Sequence, residues 1–147
     1  KENVIMTILT LNHARNILSG ALSHRKSAGF NPLCVVVIDA GGHVVACERE
    51  DGVANRRFDI ALGKAYGAIS VGVNSRTLGV MAVERPHFMN GVTAAIGGSL
   101  VPVAGGVLIV DGGRTIGAVG VSGDTSDNDE AAAIAGIHAA GLTASEK

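Results

Sequence analysis

Aromatic residues make up only 3% of the 147 residues, tryptophan is absent, and there are three prolines and two cysteines. A core without large rings has to be filled by aliphatic and small side chains. The 21 glycines, about twice the usual share of ~7%, show how: backbone segments approach one another closely. Two cysteines, Cys34 and Cys47, with no CxxC spacing, exclude a disulfide framework and a zinc ribbon. A net charge of −1 with 17% charged residues excludes a broadly basic nucleic-acid surface and a disordered acidic tail. The longest apolar stretch, "LVPVAGGVLIV" from Leu100, falls well short of the ~20 residues a membrane span needs and is broken by proline and glycine. The first residues, "KENVIMTILT", lack the charged start, apolar centre and cleavage site of a signal peptide, and the reading is cytoplasmic.

A chain of this length buries about 68–70% of its unfolded surface and folds without metal or disulfides. No repeat, linker or low-complexity tract divides it, so one domain over 1–147 is expected. Residues 4–8, "VIMTI", suggest a short strand. Thr10 then caps a helix with apolar stripe Leu11, Ala14, Leu18, Ala21 and Leu22, ending near Gly29. "NPLCVVVIDAGGHVVACERE" reads as a hairpin turning at Gly41 and Gly42, with facing residues whose numbers sum to 83. That register places Val35, Val37, Ala46 and Glu48 on one face. Cys34, Val36, Ile38, Val45, Cys47 and Arg49 share the other. Cys34 and Cys47 are then diagonal neighbours about 7–8 Å apart, a poor disulfide geometry, and free thiols are expected unless the loop has three residues.

From Arg56 to Val71 the spacing of Phe58, Ala61, Leu62, Ala65 and Ile69 predicts a helix, with Gly63 and Gly67 opposite, open to another backbone element. Pro86 in "ERPHFMN" suits the first position of a short turn or helix. Strands over 99–103, 106–111 and 114–121 follow, the last two joined at "DGGR", and a helix over 127–141 ends the pattern. Tight turns between neighbouring strands imply an antiparallel sheet, and strands apolar on both faces imply cover on each side.

"GAVGVSGDTSDNDEAAA", residues 117–133, leads a glycine-punctuated strand into a helix start, a layout that elsewhere grips phosphate. Its glycines match neither GxGxxG nor GxxxxGK[ST]. Asp124, Asp127, Asp129 and Glu130 already crowd the positive helix end, and Ser126 with Asp129 has capping-box spacing, so the stretch reads mainly as a fold-completing cap. "DTSDNDE" lacks the glycine and glutamate of a calcium loop, Ser122 lacks a nucleophile elbow, and His13, His24, His43, His87 and His138 form no metal-ligand spacing; no metal site is expected. Against surface or structural roles stand four ligand-binding candidates. His87 follows a proline between Arg85 and Phe88, offering imidazole, cation and ring together. Lys64 lies on the same side of its helix as Arg57, either reaching to water or supplying a cation for a carboxylate such as a propionate. Arg49, beside Asp51 and Gly52, suits a polar rim.

Taken together, "VVVIDAGGHVVACEREDG", "ALGKA", "GGVLIVDGGRTIGAVGVSG" and "NDEAAAIAG" resemble the GlcG/HbpS-like family, which includes the C-terminal domain of PduO-type proteins. The likeness runs from about Leu11 to Ala140, and the last glycine-rich block is its most specific part. It implies an α/β (α+β) fold of the profilin-like kind, an antiparallel sheet of about five strands packed by helices, and assembly into homo-oligomers. It also implies a small-molecule ligand, with haem or another tetrapyrrole as the candidate cofactor, and a role accessory to diol/glycerol or glycolate metabolism. His13 and His87 become candidate haem ligands. Two other readings stand beside it: an enzyme acting on a small hydroxy- or oxo-compound with Lys64 or His87 as acid or base, and a structural partner in a metabolic complex. No nucleic-acid or membrane partner is expected.

Overall fold

The computed structural model describes residues 7–147, and most of the strand expected over 4–8 lies outside them; Thr7 and Ile8 are not in a strand. Helix α1, Leu11–Ala28, starts where Thr10 predicts: the Thr10 hydroxyl accepts the His13 N–H and the His13 ring accepts the Thr10 N–H. His13 is thus the second half of a capping box, and Gly29 closes the helix with a left-handed φ of 74°. Strands β1, Cys34–Asp39, and β2, Val44–Arg49, form the hairpin. Helix α2, Arg57–Val71, is followed by α3, Ser75–Glu84, and by α4, Pro86–Ala95, with the proline in its first turn. Strands β3, Gly106–Asp111, and β4, Arg114–Ser122, lead to α5, Ser126–Ala139, and the two-residue β5, Thr143–Ala144. All pairings are antiparallel and the spatial order is β2-β1-β4-β3-β5.

Four expectations need correcting. Residues 99–103 form no strand; they cross the outer side of α2, where the Val101 N–H reaches the Gly63 carbonyl at 3.2 Å. Gly63 and Gly67 do admit another backbone segment, since an added Cβ would meet Val101 or Leu100. The helix α3 was hidden because its apolar residues, Leu78 among them, pack on α4 and the 100–102 segment instead of forming one broad stripe. The α5 cap is Thr125, whose hydroxyl accepts the Asn128 N–H, while the Asp129 carboxylate is engaged elsewhere. Finally, the β1–β2 turn spans three residues, Ala40–Gly42, with the Asp39 N–H on the His43 carbonyl. Ile38 pairs with Val44, and a bulge restores the expected register from Val37 and Ala46 onward. The bulge moves Val45 to the opposite face from that predicted, against the α1/α5 core. Cys34 and Cys47 remain diagonal and unpaired, the first buried and the second exposed. Hydrogen bonding between the two thiols and burial push Cys34 up, and the same bond holds Cys47 down.

The sheet is covered on both faces. Val35, Val37, Val107, Ile109, Val119 and Val121 meet α1 and α5 on one side, and Cys34, Val36, Ile38, Leu108 and Ala118 meet α2 on the other. On the α2 side the approach is unusually close. Gly106 and Gly120 are register partners on β3 and β4, and a Cβ on either would run into α2 backbone, at Lys64 or at Ala61 respectively. The α2 residues above them, Ala61, Ala65 and Ala68, are fully buried. On the far side α1 and α5 meet through Gly20 and Gly136, where an added methyl would hit Ala139 or the Ile17 carbonyl.

At the sheet end away from the hairpin turns, Lys64 links the two layers. Its ammonium donates to the Val121 carbonyl and to Asp129 Oδ2, each at 3.0 Å, with lysine and aspartate side chains both 2% exposed. Asp129 Oδ1 accepts the Asp124 N–H at 2.9 Å. Gly105 leaves room for the crossing, since a Cβ there would lie 2.8 Å from Lys64 Nζ. Burial pushes the lysine down and the aspartate up, each towards neutrality, and the mutual attraction opposes both shifts. Nearby, Arg25 clamps both oxygens of Glu50 at 2.9 and 3.1 Å, and Glu50 also accepts the Leu33 N–H at 2.9 Å. Burial alone would raise the Glu50 pKa, but these bonds outweigh it and hold the carboxyl below its ordinary range.

Three stability measurements follow from this packing. Gly120→Ala should lose about 1–3 kcal/mol or more in urea unfolding through overpacking, whereas Gly91→Ala, in α4 with open space at the Cβ position, should gain about 0.5–1 kcal/mol. Lys64→Met should cost about 3–5 kcal/mol by stranding the aspartate, and adding Asp129→Asn should recover much of it. Because the folded pKa of Glu50 is depressed, its stabilisation is complete above the unfolded value of about 4.3 and is lost as pH falls through the lower folded value. Urea midpoints at descending pH should therefore fall less steeply in Glu50→Gln.

Candidate functional site

The antiparallel order brings both hairpin turns to one end of the sheet, because Asp39 at the end of β1 pairs with Gly117 near the start of β4. The residues before α1 reach the same end, with Leu9 against Gly117. Together they enclose a cavity of about 380 Å³ whose lining includes Ile8, Leu9, Asp39, His43, Arg114 and Ile116. Ile8, Leu9, Ala40 and Ile116 make much of the lining apolar, and Thr7, Asp39, His43, Arg114 and Thr115 contribute polar groups. Asp39 Oδ1 fixes the turn by accepting the Gly41 and His43 N–H groups, each at 3.0 Å. The same oxygen lies 3.5 Å from His43 Nδ1, while the imidazole is 84% exposed. Asp39 thus fixes the turn that carries the ring, and the exposed imidazole is open to a ligand. Arg114 supplies a cation to the same lining.

A second, smaller cavity of about 230 Å³ lies across the turn between Val44, Leu62, Tyr66 and Ile96. Gly42, with φ of 84°, sits so close to Tyr66 that a Cβ would come within 2.9 Å of the ring. The turn carrying His43 is therefore flanked by apolar hollows on both sides. A wider groove of about 580 Å³ runs along α3 between Val80, Val83, Pro102 and Val103, edged by Arg76 and Asp127.

The four residues singled out in the sequence do not gather around one of these hollows. Arg49 ends β2 and donates to the Val53 carbonyl at 2.7 Å. Lys64 points inside the protein to Asp129 and Val121. Arg85 and His87 both lie at the α3–α4 junction, where the Arg85 guanidinium lies 4.5 Å over the Phe88 ring and His87 is exposed. Among the described residues no group of three or more His, Cys, Asp or Glu side chains is placed to hold a metal ion. Sequence reasoning passed over His43 and Arg114. Each directly follows a glycine turn, in "AGGH" and "DGGR", and two successive antiparallel hairpins put such turns at one end; that coincidence was the available signal.

With the geometry in view, the likeness to known proteins can be placed. The family model described as haem degrading protein HbpS-like matches residues 9–138. A 15.0 kDa protein of Citrobacter freundii, encoded in the dhaT-dhaS intergenic region, is 32% identical over 98 residues, covering 67% of this chain and 68% of that protein. The crystal structure of a PduOC:haem complex aligns with a TM-score of 0.80 at 22% identity, over 90% of this chain and 95% of that one. A double mutant of Streptomyces reticuli HbpS aligns with a TM-score of 0.78 at 26% identity, over 92% of this chain and 89% of that one. The α+β sheet, the glycine-mediated helix packing and these likenesses agree: the chain belongs to the HbpS-like family.

Proposed function

We propose that the protein binds haem, or a closely related tetrapyrrole, at the end of the sheet that carries the hairpin turns. The observation that carries the reading is the exposed His43 imidazole, on a turn fixed by Asp39, in the lining of a largely apolar cavity that also contains Arg114. The family's description and the haem held by the PduOC structure support the choice of ligand. The donor set fits the group: imidazole suits iron, a largely apolar lining suits the macrocycle, and a guanidinium suits a propionate. When bound, haem would supply redox and oxygen chemistry. The chain's own residues would hold and orient it. Asp39 fixes the turn that carries His43; Ile8, Leu9 and Ile116 offer an apolar edge, and Arg114 would engage a carboxylate.

A cavity of about 380 Å³ lies at the small end of ligand sites and would cover only part of a macrocycle, so the rest would be covered by a second copy. Exposed Val80 and Val83 on α3 support self-association, and we read the protein as a homo-oligomer. Two unpaired thiols suit a reducing compartment, which supports a cytoplasmic placement. Among the described residues no helix is long and apolar enough to cross a membrane. The gene position of the Citrobacter freundii relative supports a role beside diol or glycerol metabolism. Arg85 and His87 remain the second candidate ligand pair.

Titration of the purified protein with haemin should produce a shifted, saturable Soret band. His43→Ala should remove the ligand-dependent spectrum, Asp39→Asn should weaken binding by about 10–100-fold, and His87→Ala should leave both unchanged. Loss of the band in His87→Ala with retention in His43→Ala would move the site to α4. A wild-type protein that gives no saturable band would overturn the haem reading.

A further inference from the structure

The opposite end of the sheet carries a different concavity, of about 300 Å³, lined by Asn31, Pro32, Val53, Ala54, Arg57 and the backbone of Gly123. Arg57 opens α2 and is half-buried there. Its Nη1 donates to the hydroxyl of the fully buried Ser122 at 3.3 Å, a long bond that leaves most of the guanidinium's donors unused.

Four of the surrounding carboxylates are committed to other partners, and the exposed Asp51, just before Gly52, is not within ion-pair distance of Arg57. Asp59, three residues from Arg56, pairs with Arg56 at 3.3 Å. Glu50 is clamped by Arg25 and Asp129 by Lys64. Asp124 accepts from the Asn31 and Thr125 N–H groups and from the Asn128 side chain. Arg49 spends its reach on the Val53 carbonyl. Among the described residues Arg57 has no carboxylate within ion-pair distance. A half-buried guanidinium without a counter-charge, facing a cavity, is a standing demand for an anion. No side chain caps the α2 start, and Asp59 in its first turn offsets part of the positive helix end.

We propose that this cavity is a second ligand site, which takes a small monocarboxylate on the fork of Arg57. A carboxylate matches the planar guanidinium with two parallel hydrogen bonds. The aliphatic surface of Pro32, Val53 and Ala54 accommodates a short carbon chain. A single negative charge suits the site better than two, since among the described residues Arg57 is the cation in its lining and Asp124 lies close by on Asn31. The site stands apart from the hairpin-turn cavity and does not depend on a tetrapyrrole.

The test is an amide ¹H–¹⁵N titration of the haem-free protein with sodium propionate, beside sodium chloride and sodium phosphate at equal ionic strength. Saturable shifts are expected at Gly52, Ala54 and Gly123, with a Kd on the order of 1 mM. Arg57→Gln should weaken binding about tenfold or more without disturbing the rest of the spectrum. Ala54→Leu, which narrows the cavity and keeps the arginine, should weaken it likewise and serves if Arg57→Gln does not fold. Equal shifts with chloride, an undiminished response in both variants, or a stronger response to phosphate than to propionate would overturn the assignment.

Discussion

The backbone of α2 lies directly on the sheet, and most of the architecture follows from that contact. It is possible because Gly106 and Gly120 face each other on adjacent strands while Ala61, Ala65 and Ala68 line the helix above them. Interiors are packed as densely as organic crystals, so a chain with few large rings gains its dispersion energy by bringing main chain against main chain. The same device recurs between α1 and α5 at Gly20 and Gly136. A glycine-rich, aromatic-poor composition is therefore the physical signature of this fold, not of a flexible chain.

Close approach also explains why a charged pair is tolerated at the centre. Once α2 is seated, the Lys64 stem lies alongside Gly105 and its head emerges at the end of β4, where the Val121 carbonyl and Asp129 are the available acceptors. Desolvation of two charges is costly, and such a pair adds little net stability compared with an aliphatic substitute. Its effect is geometric: it sets the end of α5 that begins the second layer against the helix of the first. The Lys64–Asp129 and Arg25–Glu50 pairs thus sit at one end of the sheet with Arg57, and the exposed His43 imidazole and Arg114 guanidinium at the other.

Much of this could be read from the residues alone. Thr10, Gly29, the β1–β2 and β3–β4 hairpins, α2 and the antiparallel sheet followed from capping chemistry and periodicity, because each is decided by neighbours in sequence. The misses share one cause. The segment 99–103 is apolar enough for a strand, yet it covers Gly63 and Gly67, and α3 is amphipathic only with respect to α4 and that segment. The position of Val45 depended on a bulge that no composition rule announces. Lys64 reads from sequence as a cation for a ligand or for water because its partner, Asp129, is 65 residues away. His43 was passed over since its significance arises only when the turns of two hairpins meet.

The margins of the sheet have a consequence for how copies of the protein can meet. One border is β5, two residues long; the other is β2, kinked by its bulge and finishing in Glu48, Arg49 and, just beyond, Glu50. Unpaired strand borders are templates for runaway accretion, and shortness, distortion and charge each frustrate it. In a protein this rich in valine and isoleucine strands, those features work against strand-to-strand growth at either margin.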